Sequence, residues 1–316
     1  MQQSLTNQQI PAQKNLAANP DHARPKKRKK VAVSKKALPY LCILPAGAVF
    51  AVFYFFPFLR TLFLSFFLTD SEGNAKSFRG LKNYIQFFTS DDYLKVIANT
   101  FILAIVVIVG SIVIGFITAN LANSKIRGFK VFPVLFTIPL AAAAGSFSLL
   151  FSKMFDPTMG IVNKLFHTNI GWFTDPKIAL FTIAGITVWM MLGSNFLYLF
   201  AGLKNVPQEL LESASIDGAS GRVKMFSVIL PSISPTLFFV LITDIIAAFQ
   251  AFTQIRVITQ GGPANATNVM VYSIYQDAFF NFRFGQAAAQ SIVLFIIVLI
   301  ITLIQFKNEK RMVSYT

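Results

Sequence analysis

The chain has 316 residues, 54% of them hydrophobic and only 13% charged, with a mean hydropathy of +0.60. So few polar side chains cannot coat a water-soluble globule of this size, and the composition predicts an integral membrane protein. The formal net charge of +15 does not imply a nucleic-acid partner, because the basic residues are confined to particular segments.

Nine of the 28 Lys and Arg residues precede the first apolar segment, most of them in "RPKKRKK" at Arg24 to Lys30. Directly ahead of a membrane span, such a cluster reads as a cytoplasmic tail touching anionic lipid rather than a nucleic-acid patch. Residues 1–37 are therefore expected to form a disordered basic tail. The first apolar segment, Leu38 to Phe67, begins far from Met1 and runs through Pro45 and Pro57 without a small-residue cleavage site. It is expected to be a retained span rather than a signal peptide. The single cysteine, Cys42, has no disulfide partner and is expected to be a packing residue.

Five further runs have about the ~20-residue reach that a helix needs to cross a ~30 Å hydrocarbon core. They are Val96 to Ala122, Val131 to Phe151, Ile178 to Leu203, Ile233 to Val257 and Ala287 to Phe306. The predicted fold class is an all-α integral membrane protein with six transmembrane helices over residues 38–306 and a short tail over 307–316. Both termini then share a side, and the loops of that side carry 18 Lys or Arg against nine on the other. The positive-inside bias makes that side cytoplasmic. The outer loops, around "TDSEGNAKSFRGLKNYIQFF" and "DPTMGIVNKLFHTNIGWFTDPK", are too short for independent domains. Trp172 and its neighbouring Phe residues read as interfacial anchors, with a contact patch for an extracytoplasmic partner as the alternative. No internal repeat stands out.

Polar groups inside apolar segments are costly in lipid and usually face a cavity or a neighbouring helix. The fourth span offers Trp189, Ser194, Asn195 and Tyr198; the fifth offers Asp244, Phe249, Gln250, Thr253 and Gln254. Rings that stack on C–H faces, beside amides and hydroxyls, suit a polyhydroxylated ligand. The competing reading is that these residues only bridge helices. Asp244 needs a partner, for which Arg256, Arg60 or a residue of a second subunit are the candidates.

Between the fourth and fifth spans lies the polar "ELLESASIDGAS", Glu209 to Ser220. Asn205 as N-cap, Pro207 in the first turn and Gln208 three residues on predict a short helix. Asp217-Gly218 should end it, since glycine readily takes the left-handed conformation. A second helix, from about Ser220 to Leu230, should follow until Pro231 and Pro235 redirect the chain into the fifth span. The resulting elbow, residues 205–231, has apolar faces at Leu210, Leu211, Ala214, Val223 and Phe226, and small residues that let it enter a groove on another protein. Glu212 offers a carboxylate to a basic residue across that interface. An amphipathic loop lying on headgroups is the other reading, disfavoured because the first helix carries acids where an interfacial helix carries Lys or Arg.

This stretch resembles the signature loop of the membrane subunits of bacterial ABC importers. Glu212-Ser213-Ala214 departs by one small residue from the family's Glu-Ala-Ala, whereas Asp217-Gly218-Ala219 and Leu230-Pro231 match it. "TQGGPANAT", with Gly261, Gly262 and Pro263, is similar to an element that follows the fifth span in the carbohydrate-importing branch, and Asn99-Thr100 agrees as well. The resemblance covers about Asn83 to Gln305. It implies the type I importer permease fold and a coupling helix seated in a cleft of a cytoplasmic ATPase, with Glu212 its ionic contact and Gly218 its turn. It also implies a second permease subunit, usually a different chain although a homodimer stays open, two ATPase copies, and an extracytoplasmic solute-binding protein.

No phosphate-binding Gly-x-x-x-x-Gly-Lys-Ser/Thr loop occurs, so ATP and Mg are expected on the partner ATPase and no cofactor on this chain. His22 and His167 are the only histidines, and no acid pair reads as catalytic, which argues against a metal site or an enzyme. The expected function is a non-catalytic permease subunit in a bacterial plasma membrane, importing a mono- to oligosaccharide. Glycerol phosphate or a polyol is the alternative within the family, and an ion-driven secondary carrier the alternative outside it.

Overall fold

The computed structural model describes residues 38–124, 131–141 and 143–313. The basic tail expected over 1–37 and most of the "NSKIRGFK" loop lie outside the described residues. The chain divides into two units. In the first, which ends at Val52, helix α1 (Leu38–Phe50) contains Pro45. Cys42, expected to pack, is exposed instead. No part of the apolar stretch Cys42–Leu64 is buried within the protein, which suits a surface turned to lipid.

The second unit, from Phe53 on, opens with α2 (Phe56–Leu64) and a hairpin of β1 (Phe67–Thr69) and β2 (Ala75–Phe78), antiparallel with Phe67 opposite Phe78 and Leu68 opposite Ser77. The Asp70 carboxylate builds the turn by accepting the backbone N–H groups of Glu72 (3.1 Å) and Asn74 (2.8 Å). Helices α3 (Lys82–Thr89) and α4 (Asp91–Asn123) follow. Asp91 and Asp92 in the first turn of α4 complement its dipole.

Next come α5 (Phe132–Thr137), a 3₁₀ turn over Ile138–Ala141, and α6 (Ala144–Met154). Pro133–Ala141 and Ala144–Met154 are bent by 105°, so the straight span expected over Val131 to Phe151 is replaced by a broken pair. Pro139 explains part of this, because it donates no helical hydrogen bond and its ring clashes with the preceding turn. Helices α7 (Ile161–Phe166) and α8 (Ala179–Lys204) lead to the elbow. The elbow comprises α9 (Gln208–Ile216), α10 (Gly221–Lys224), a π-helical turn over Met225–Ile229 and α11 (Leu230–Ser232).

Helix α12 (Ser234–Phe249) is bent by 68° from Gly221–Ser232. It stops short of the expected end at Val257: Ala251 and Phe252 leave helical geometry before a π-helical turn over Ile255–Thr259. Helices α13 (Met270–Phe279) and α14 (Phe284–Met312) complete the chain, α14 continuing past Phe306 into the expected tail. Among the described residues four helices are long and apolar enough to cross a membrane, or up to six if each bent pair counts as one span.

The most extensive helix contact is between α4 and α8. It depends on Gly115, where a Cβ would lie 2.9 Å from the Asn195 Cβ, so only glycine lets the two backbones approach this closely. Leu103, Val107, Ile183, Val188, Ile245 and Phe249 fill one core cluster around this contact. A second, of Ala119, Phe196, Leu199, Leu203, Ile233 and Val240, sits toward the elbow.

Candidate functional site

A cavity of about 350 Å³ opens among the α5–α6 bend, α8, α12 and the helix break that follows it. Pro139, Leu140, Phe147, Met190 and Met191 give it apolar walls, while Ser194, Asn195, Tyr198, Thr243, Asp244 and Gln254 supply polar groups. Among the described residues no lysine or arginine lines it.

Asp244 is the polar centre. It is 2% exposed, and its Oδ2 accepts from the Ser111 hydroxyl on α4 and from the Asn195 amide on α8, each at 2.7 Å. Three helices thus converge on one carboxylate oxygen, and charge-assisted bonds of this length offset part of the cost of taking it out of water. Neither Arg60 nor Arg256 is the partner anticipated from the sequence. Arg256 instead lies over the rings of Tyr275 (5.0 Å) and Phe280 (5.6 Å).

Of the nine path candidates, Ser194, Asn195, Tyr198, Asp244 and Gln254 come together in this cavity and four do not. Trp189 packs on Phe147 and Phe151 (5.0 and 5.1 Å) and lines a separate apolar cavity of about 560 Å³ with Trp172. Phe249 is a core residue, 3% exposed, set edge-on to Phe101. Gln250 caps α12 and is exposed, and Thr253 is half-buried outside the lining. Thr243 and Ser111 were missed. Ser111 is a polar residue inside an apolar run, and the test applied to the fourth and fifth spans would have found it in the second.

The elbow departs from its expected start. Asn205 is the C-cap of α8, not an N-cap: its N–H bonds the Ala201 and Gly202 carbonyls, and α9 begins at Gln208 after Pro207. With Asn205 held there, the Gln208 amide turns forward to Glu212 (2.8 Å). Gly218 takes φ +73°, while the N–H groups of Gly218 and Ala219 close the helix end on Ser215 (3.2 Å) and Ala214 (2.9 Å). Asp217 is the C-cap, Ser220 caps α10, and the Lys224 ammonium ties the two arms by donating to the Ser215 hydroxyl (2.7 Å). Leu230 and Pro231 stand half-buried where the elbow joins α12. No residue of α9 or α10 is buried, and Leu210, Ile216, Val223 and Phe226 are exposed.

At the other end of the bundle, the turn at Gly261, Gly262 and Pro263 is closed by Thr267, whose hydroxyl lies 2.6 Å from the Gly262 carbonyl, and is held to α4. Lys95 donates to the Ala264 carbonyl (2.7 Å), and Asn99 to the carbonyls of Asn265 and Asn268. The Thr100 hydroxyl accepts the Met270 N–H (2.8 Å) at the start of α13. Trp172 donates to Asn163 (2.8 Å) within its own loop and packs edge-on against Phe155. Among the described residues no group of His, Cys, Asp and Glu is placed to hold a metal.

Residues 111–314 match the family described as binding-protein-dependent transport system inner membrane component. The sn-glycerol-3-phosphate transport system permease protein UgpA of Agrobacterium fabrum is 33% identical over 290 residues, which cover 90% of this chain and 99% of that one. UgpA of Yersinia pestis is 33% identical over 282 residues, covering 88% and 96%. A chain in the crystal structure of a bacterial ABC transporter involved in the import of the acidic polysaccharide alginate aligns with a TM-score of 0.77 at 20% identity, covering 89% of this chain and 98% of that one. A chain of the bacterial alginate ABC transporter in complex with an alginate pentasaccharide-bound periplasmic protein gives 0.76 at 19%, with the same coverage. At these identities the structural likeness concerns the fold.

Proposed function

Since the chain belongs to the family of binding-protein-dependent transport system inner membrane components and is a permease subunit of such an importer, we propose that its cargo is an uncharged carbohydrate. The observation that carries this is the lining of the 350 Å³ cavity, hydroxyls, amides and one carboxylate against apolar walls with no cation among the described residues. Its volume lies in the roughly 300–1,000 Å³ range of small-molecule sites. A phosphate would meet the Asp244 carboxylate here without a compensating charge from the described residues.

In this reading six spans, two of them broken, place both termini in the cytoplasm of a bacterial cell, with residues 1–37 and 307–316 as tails. The exposed apolar side chains of the elbow support its role as the coupling helix, seated on one of two ABC ATPase copies that bind ATP and Mg. Glu212, Ala214, Asp217, Gly218, Ala219, Leu230 and Pro231 form that element. A second permease, expected to be a different chain, completes the path, and an extracytoplasmic solute-binding protein delivers cargo. The chain itself performs no catalysis and binds no cofactor.

A second reading, glycerol 3-phosphate as cargo, is favoured by the names of the relatives, and then the partner permease supplies the positive charge. Uptake by the reconstituted complex, across a panel of sugars, polyols and glycerol 3-phosphate, separates the two. Transport of glycerol 3-phosphate and of no sugar would overturn the carbohydrate assignment.

A further inference from the structure

Phe238 near the start of α12 packs on Phe306 near the end of α14 (6.0 Å), so the two helices are antiparallel and the start of α14 lies at the end of the bundle away from the elbow. There a second cavity, of about 290 Å³, is walled by Thr69, Arg79, Asn83, Gln86, Arg283 and Gln286 together with apolar and backbone surface. Among the described residues the two arginines are its only charged lining residues.

Arg79 is half-buried, and among the described residues only its backbone makes hydrogen bonds; its guanidinium has none. Gln286 is 6% exposed, and its side-chain NH₂ has no partner among the described residues, which is costly for a buried donor. Gln286 also stands in the first turn of the 29-residue α14, where the helix dipole is positive. The wall is rigid: Asn83 spends its amide on the carbonyls of Ser65 (2.8 Å) and Phe67 (3.1 Å), and Thr69 accepts the Gly285 N–H (3.1 Å). The carboxylates of Asp92 and Asp277 line an adjoining cavity, which Arg283 shares. Asp277 is engaged by Tyr93 (2.7 Å), Gln290 (2.6 Å) and Asn281 (2.8 Å) and does not line the cavity that holds Arg79, whereas Arg283 also interacts with Tyr93.

We propose that this cavity, built by Arg79, Arg283 and the buried amide of Gln286, is a binding site for a phosphate group at the end of the bundle opposite the elbow. A guanidinium fork, a second guanidinium and an orphan amide line one cavity at the positive end of a helix dipole, which matches the several acceptor oxygens of a tetrahedral oxyanion. The phosphate comes either from a phospholipid headgroup of the adjacent leaflet or from a free phosphate ester or ion. The site is separate from the 350 Å³ cavity and does not depend on which cargo crosses there.

The test uses the complete transporter complex in phosphatidylcholine nanodiscs, with and without phosphatidylglycerol. Native mass spectrometry reads retained phosphatidylglycerol, and titration in pure phosphatidylcholine reads binding of inorganic phosphate and glycerol 3-phosphate. Arg79→Gln and Gln286→Leu should each lower occupancy about tenfold or more, the worth of a charge-assisted bond. Lys76→Gln, an exposed cation on the hairpin outside the cavity, should leave it unchanged. Retained phosphatidylglycerol identifies the lipid as the source; phosphate or glycerol 3-phosphate binding without it identifies the solute. Should Arg79→Gln fail to assemble, Gln286→Glu reads the same site, since it preserves side-chain size but repels an anion. Binding of neither ligand, or equal loss in Lys76→Gln, overturns the proposal.

Discussion

Asn99 and Asn268 are 169 residues apart in the chain, yet the Asn99 amide donates to the Asn268 carbonyl at 3.0 Å, as it does to that of Asn265 at 2.9 Å. With Lys95 and Thr100 it makes one face of α4 the clamp for the Gly261 to Pro263 turn and for the start of α13. Asn99→Ala leaves both carbonyls without this donor, a loss of about 1–3 kcal/mol. Deuterium exchange over 259–270 should rise while that of the α4 interior stays unchanged. Unaltered exchange in the turn would show that the clamp is dispensable.

The Ser111, Asn195 and Asp244 node makes a different prediction, because one of its members is charged. Asn195→Leu leaves a buried carboxylate with a single donor and should destabilise the complex by about 1.5–3 kcal/mol in a thermal melt. The exchanged pair Asn195→Asp with Asp244→Asn restores a carboxylate facing an amide and should recover most of that loss. A double variant no better than the worse single one would refute the pairing.

Asp156 provides a titratable handle on the loop between α6 and α7. Its carboxyl is held below its ordinary range chiefly by the Met159 N–H, with further bonds from the Thr158 hydroxyl and N–H. A depressed folded-state value means that this contribution to loop order is present above the unfolded carboxylate range and lost as pH falls through the folded value. Amide protection of Thr158 and Met159, referenced to Asp156→Asn, should therefore fall on acidification in the wild type alone. Equal pH profiles in the two proteins would exclude the carboxylate as the cause.

The order of apolar runs and the elbow were legible in the sequence because each rests on local signals: run length, and a glycine that suits a left-handed turn. The breaks were not. Pro139 lies inside an apolar run, and nothing local to Gln250-Ala251-Phe252 announces that α12 stops there. That break resets the helical phase, so residues on the Asp244 face could not be projected forward: Gln254 lines the cavity whereas Gln250 and Thr253 do not. Asp244 was expected to seek an arginine because a charge in lipid needs compensation. That compensation comes from two neutral donors, one 133 residues away, and a pairing of that range has no local signature. Asn205 misled for a related reason, since a residue between two helices can cap either, and here its N–H closes the end of α8.

The elbow can be tested by separating what folds it from what it touches. Ile216 is 87% exposed, so Ile216→Glu removes no packing within the chain and should leave expression and melting of the permease unchanged. If the elbow seats in an ATPase cleft, that same change places a charge in an apolar contact and should abolish co-purification of the ATPase together with uptake. Gly218 separates backbone from contact: beyond its chain neighbours no atom lies within 4 Å of a Cβ built there, yet φ is +73°, so a side chain finds room but not a comfortable backbone. Gly218→Asn, which tolerates that conformation, should retain uptake, whereas Gly218→Val pays about 1–2 kcal/mol of left-handed strain and should lower it. Full uptake with Ile216→Glu would remove the elbow from the coupling interface, whatever the Gly218 pair did.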